Sequence, residues 1–150
     1  MRKKGFGLLL ILMLGLALAA CGGDDDGESE AEREAERGAA FAPICEMTAM
    51  SGETGLPAGF PIPDSVTWVK SEEAGPSQVV EGFAEGELED VYDDWHQQFE
   101  DSDYDITFDE QEEHDAEISF EGGGRSGQVK LADECAEGKI YARVTSRPAD

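Results

Sequence analysis

The stretch Leu88-Glu89-Asp90-Val91-Tyr92-Asp93-Asp94-Trp95-His96-Gln97-Gln98-Phe99, followed by Tyr104-Asp105-Ile106-Thr107-Phe108, decides the fold, because its apolar spacing changes from three or four residues to two. Leu88, Val91, Tyr92, Trp95 and Phe99 fall on one face of a helix, with acidic residues on the other side. The expected helix runs from about Glu87 to Asp101, and Glu87, Glu89 and Asp90 suit the positive end of its dipole. His96 lies beside the apolar stripe and reads as a boundary or surface histidine, not a ligand. The aromatic stripe reads as core, not as a cofactor box.

Downstream the period of two persists. Tyr104, Ile106 and Phe108 alternate with Asp105 and Thr107; Ala116, Ile118 and Phe120 with Glu117 and Ser119; Gly127, Val129 and Leu131 with Gln128 and Lys130; Ile140, Ala142 and Val144 with Tyr141 and Arg143. Four strands with one apolar face each predict an antiparallel meander, with connections at 111–115, 122–124 and 133–138. On the outward side Lys130 and Arg143 are expected to meet Glu117 or Asp105 across strands. Upstream, two shorter strands are expected at Val66–Lys70 and Gln78–Glu85 around the turn Glu73-Ala74-Gly75-Pro76, with Gly82 and Gly86 marking a bulge and the passage into the helix. The fold class is therefore α+β: an antiparallel sheet, β-β-α-β-β-β-β, with one amphipathic helix packed on one face.

Before the first strand, 52–64 carries Pro57, Pro61 and Pro63 around Leu56, Phe60 and Ile62. The prolines exclude a helix and disfavour a central strand, so this is an extended segment laying apolar side chains onto the core. Apolar residues begin near Phe41, and one domain is expected over 41–147. Residues 21–40, with Asp24-Asp25-Asp26 and a Glu/Ala/Arg tract, have no apolar stripe and read as a disordered acidic tether. The aspartate triplet reads as a solvated spacer, because the alternation and bidentate glutamate of a calcium loop are missing.

Arg2, Lys3 and Lys4 precede an apolar run from Phe6 to Ala20, the pattern of a secretory signal over 1–20 that is too short for a comfortable membrane span. The run ends in Leu18-Ala19-Ala20-Cys21, which resembles the lipobox of bacterial lipoproteins. The resemblance implies cleavage before Cys21, a diacylglyceryl group on its thiol and, often, an acyl chain such as palmitate on the new amine. Two or three chains give stable anchoring, at about 0.8 kcal/mol per buried methylene. The expected location is the bacterial cell envelope, by lipid anchor: the outer membrane where there are two, since Gly22 and not an aspartate follows Cys21, otherwise the outer face of the cell membrane. In outline the domain is also similar to small uncharacterised domains of exported lipoproteins, but it shares no motif from which site residues could be carried over.

With Cys21 given to lipid, Cys45 and Cys135 remain as an even pair in an oxidising compartment, and a disulfide is the simplest outcome. Free thiols or a catalytic cysteine are the alternatives; neither has a histidine nearby or a C-x-x-C spacing. The full chain carries 11 basic and 35 acidic residues; loss of Arg2, Lys3 and Lys4 leaves 8 against 35, a net charge of −27. Nucleic acid and anionic lipid are poor partners for such a chain. Lys130, Lys139, Arg143 and Arg147 hold half of the remaining basic residues and fall on the outward face of the last strands.

No nucleophile elbow, P-loop or metal spacing is present, so neither a catalytic residue nor a cofactor or metal ligand is assigned. The expected role is a non-catalytic binding or interaction module, held on a membrane by lipid, for an envelope protein, wall polymer or ligand. The competing expectation is an enzyme or divalent-metal-dependent factor using the acidic turn Asp109-Glu110-Gln111-Glu112-Glu113-His114-Asp115. Consecutive side chains converge on a cation only if the loop bends for it.

Overall fold

A computed structural model describes residues 43–135 and 138–149. The signal at 1–20, Cys21 and the tether at 21–40 lie outside the described residues.

The chain forms two strands, β1 (Val66–Ala74) and β2 (Ser77–Glu85), then the helix α1 (Leu88–Glu100), then β3 (Tyr104–Gln111), β4 (Asp115–Gly122), β5 (Arg125–Ala132) and β6 (Lys139–Pro148). The period of 3.6 gives α1 its buried stripe of Leu88, Val91, Trp95 and Phe99, with Glu87 and Asp101 as its caps and Glu89 and Asp90 in its first turn. A further helical turn lies at 43–45.

All six strands belong to one antiparallel sheet in the order β1-β2-β6-β5-β4-β3. The last strand enters between β2 and β5, so it joins the β1-β2 hairpin to the meander of β3, β4 and β5. By this alternation β2 and β3 run in the same direction, and such a pair requires a long crossover. The helix is that crossover, carrying the chain over one face from β2 to the far edge.

Between helix and sheet lies a core of Phe60, Trp95, Phe99, Ile118, Phe120 and Val129 with their smaller neighbours. Its rings meet in the arrangements aromatic pairs prefer: Phe99 stacks on Phe120 at 5.4 Å and on Trp95 at 6.0 Å, and Phe60 stands edge-on to Phe120 at 5.1 Å. Each such pair adds about 0.5–1.5 kcal/mol beyond the area it buries. Phe60 arrives from the proline-rich segment, with Leu56 and Ile62 beside it, as the apolar residues between those prolines lead one to expect.

Residues 50–54 cover the outer edge of β1. The Met50 amide donates to the Trp68 carbonyl at 2.8 Å, and the Ser71 hydroxyl donates to the Thr54 carbonyl at 2.6 Å. An otherwise unpaired strand edge is thereby protected. Gly82 permits close packing of β1 and β2, since a Cβ there would meet the Thr67 carbonyl oxygen at 2.1 Å.

Three local expectations need correction. Gly82 does lie opposite a bulge, but the extra residue is Val69 of β1, between Trp68 and Lys70, and β1 continues to Ala74 instead of ending at Lys70. A second shift, between Ile106 and Phe108, turns Phe108 to the opposite face, where it is 52% exposed instead of joining Tyr104 and Ile106 in the core. Arg143 does not reach Asp105, which pairs with Glu121 at the other end of the sheet; its cross-strand neighbours are Glu81 and Lys130.

Candidate functional site

The helix covers one face of the sheet; on the other, the open face, Val79, Ala132 and Tyr141 are buried among the described residues while Glu121, Arg143 and Arg147 are exposed. Along β6 every second residue, Tyr141, Arg143, Thr145 and Arg147, points to this open side, because Ile140, Ala142 and Val144 are in the core. The cross-strand partners bring Lys130 and Gln128 from β5 and Glu81 from β2 alongside. A groove of about 610 Å³ runs over this surface, with Gln128, Lys130, Arg143, Thr145, Arg147 and the carboxylate-bearing Glu121 among its lining residues.

One end of the open face is closed. Cys45 and Cys135 form a disulfide, with Cα atoms 5.8 Å apart, and Cys45 is buried with Ala132 and Tyr141. The bridge holds the 43–45 turn against the ends of β5 and β6. Lys139 reinforces it: its Nζ donates to the Cys45 carbonyl at 3.2 Å and stands 4.6 Å above the Phe83 ring.

Next to this end sits a hydrogen-bonded acid. The Tyr141 hydroxyl donates to Glu81 Oε1 at 2.6 Å, and Lys70 Nζ donates to Glu81 Oε2 at 3.0 Å. Burial pushes the Glu81 carboxyl up, but the Tyr141 and Lys70 hydrogen bonds, with the Lys70 and Arg143 charges, outweigh it and hold the group below the usual carboxylate value. The Tyr141 phenol is pushed well above its ordinary value, first by burial and then by its hydrogen bond to Glu81. Both shifts favour the hydrogen-bonded, charged-acid state at neutral pH. Glu81 is thus a structural member of the face.

The cations divide sharply. Lys130 Nζ lies 3.4 Å from Glu117 Oε1 and 3.6 Å from Asp115 Oδ2, and Gln128 Nε2 donates to Glu117 Oε2 at 2.8 Å. Lys70 is paired with Glu72 and Glu81, each at 3.0 Å. Arg125 donates to the buried Ser146 hydroxyl and to its carbonyl at 3.1 and 2.8 Å. Among the described residues, the guanidinium groups of Arg143 and Arg147 have neither an ion pair nor a hydrogen bond. Both are exposed, and they stand four residues apart on one strand, about 13–14 Å. Two unpaired guanidiniums in a groove of a chain with 35 acidic residues form a place for anionic oxygens to dock.

The acidic turn is arranged differently. Asp109, Glu110 and Gln111 belong to β3 and Asp115 to β4, so their side chains alternate between faces. Asp109 turns to the helix, where it accepts from the Tyr92 hydroxyl at 2.6 Å and lies 3.9 Å from His96 Nε2. Burial, and then the Asp109 hydrogen bond, push the Tyr92 phenol up to about 12. His114 Nε2 lies 4.0 Å from Glu113 Oε1. Among the described residues, no three His, Cys, Asp or Glu side chains gather in a form that could hold a metal ion, and no helix is long and apolar enough to cross a membrane.

The sequence brought Lys130, Lys139, Arg143 and Arg147 to one face, and the structure keeps them there. What it could not distinguish was which of the four are engaged, because that depends on strand order and on Glu81, a residue with no signal of its own. No family model and no curated protein matches the chain.

Proposed function

We propose that the protein is a lipid-anchored component of the bacterial cell envelope, held through Cys21, whose α+β domain is a non-catalytic binding module. The open face of the sheet takes an extended acidic protein segment, with carboxylates against Arg143 and Arg147. The carrying observation is that these two guanidiniums are unpaired and exposed in the groove while the other described cations are all engaged. The lipid anchor is supported by Leu18-Ala19-Ala20-Cys21 behind a basic start and an apolar run.

A capped hexaglutamate peptide is the direct probe. Binding should be weakened at least about tenfold by the pair R143Q and R147Q and abolished near 1 M salt, where the Debye length falls to about 3 Å. Equal affinity in the double variant would overturn the assignment of the face. Separately, Cys21→Ser should move the protein from the membrane to the soluble fraction; retention on the membrane would refute lipid as the anchor.

A further inference from the structure

We propose that the outer edge of β3 is a strand-addition site for an extended basic segment of a partner protein. The two edges of the sheet differ. β1 is covered by residues 50–54, whereas β3 ends the sheet, and its five residues from Thr107 to Gln111 are all exposed. Every second amide and carbonyl of an edge strand points away from its single neighbour. Among the described residues, none of the main-chain groups from Asp105 to Gln111 has a partner outside β4. An added strand satisfies that row with main-chain hydrogen bonds.

The side chains on this edge identify the occupant. Asp105, Phe108 and Glu110 stand on the open side of β3, because their cross-strand partners Glu121, Ser119 and Glu117 do. Two of these three pairs therefore set one carboxylate directly opposite another, with Cβ atoms about 4.5–5.5 Å apart, an arrangement that opposes folding. Lys130 and Gln128 engage Glu117. Among the described residues, Asp105, Glu110 and Glu121 have neither an ion pair nor a hydrogen bond. Between Asp105 and Glu110 the Phe108 ring is 52% exposed. A strand laid beside β3, with Lys or Arg at alternate positions on either side of an apolar residue, neutralises both acids and covers the ring.

The same groups exclude a second copy as the occupant. β3 paired with β3 brings Asp105, Asp109 and Glu110 of both strands together, in two chains that each carry 35 acidic residues. The bulge at Thr107 and these charges guard the edge against self-pairing. They leave it open to a basic strand, so repulsion of the wrong partner and attraction of the right one come from the same side chains. Two strands separate this edge from β6, and the assignment does not depend on the reading of Arg143 and Arg147.

The test titrates the isotope-labelled full chain, in non-ionic detergent micelles, with a capped heptapeptide of threonine that carries lysine second and sixth and valine at its centre. Main-chain hydrogen exchange is followed by NMR. The outward amides between Asp105 and Gln111 should exchange at least about tenfold more slowly at saturating peptide. The fully N-methylated peptide, with the same charge and no main-chain donor, should leave them unchanged. D105N with E110Q should weaken binding at least about threefold, whereas R143Q with R147Q should not weaken it. Unchanged exchange in β3, or equal slowing by the N-methylated peptide, would overturn the assignment. Outward amides already slow in the free protein at every concentration would show that the chain itself covers the edge. Slowing that grows with protein concentration would replace the basic partner by a second copy, and either result sinks the proposal.

Discussion

On the helix side of the sheet, Ile118, Phe120, Val129 and Val144 are at most 1% exposed and meet Trp95 and Phe99 with no charged group among them. On the other side of the same strands, Glu117, Gln128 and Lys130 are half-buried and held by ion pairs and a hydrogen bond. The covered face is determined by shape and volume, so nearly every atom has a required neighbour. The open face is determined by charge balance, and there Arg143 and Arg147 make no ion pair or hydrogen bond of their own among the described residues, although the Arg143 charge acts on the neighbouring Glu81. The comparison separates what stabilises this fold from what is available for binding.

The largest effect should come from removing volume from the covered face. Trp95→Ala, at a fully buried site, should cost about 3–5 kcal/mol in a urea titration. A loss below about 1 kcal/mol would show that the helix is not packed on the sheet as described. Next in size is the clamp on the open side. Replacing Cys45 and Cys135 together by Ser should cost about 2–4 kcal/mol, because a separation of 90 residues is left unconstrained in the unfolded chain. Recovery of two free thiols from oxidised native protein would contradict the bond itself.

Glu81 gives a smaller effect with a pH signature. Glu81→Gln should cost about 1–2 kcal/mol at neutral pH, through its hydrogen bonds to Tyr141 and Lys70. The folded carboxyl titrates below the ordinary value of 4.5, so its contribution is complete above that pH and is lost as pH falls through the folded value. Melting temperatures of the native protein should therefore fall more steeply than those of the variant below about pH 4.5; parallel curves would refute the coupling. The smallest effect belongs to Phe108, a large apolar side chain on the wrong side of a bulge. Phe108→Ala should change stability by less than about 0.5 kcal/mol, and a core-sized loss would mean that it packs with Tyr104 and Ile106 after all.

The division between the faces also marks how far the sequence could be read. The order of elements and the ends of the helix were legible, because Leu88 to Phe99 and the alternations after it are long and strongly periodic. The apolar residues among the prolines, Phe60 above all, were legible for a similar reason: extended chain with large side chains has only the core to go to. The meander β3-β4-β5-β6 was legible as well, from four consecutive alternating segments joined by short connections; its junction with the β1-β2 hairpin was not, since a period of two fits any neighbour and nothing in Ile140 to Val144 says that β6 also pairs with β2. Bulges were equally hidden, because one extra residue reverses every side chain after it, as at Phe108. The candidate site depends on both. Arg143 is unpaired because strand order sets it beside a Glu81 already claimed by Lys70 and Tyr141, and not beside Asp105.

The bridge between Cys45 and Cys135 has a mechanical consequence. For a chain held at Cys21, any drag on the domain arrives as tension along the segment that ends at Cys45. Without the bridge, that tension would first peel residues 46–65 from the covered face and then unzip β1 from β2, one hydrogen-bonded pair at a time. With the bridge, the load passes covalently from Cys45 to Cys135, at the junction of β5 and β6. Both strands are paired on each side, so the pull is shared across the interior of the sheet, and the hairpin that carries Glu81 stays out of the line of force.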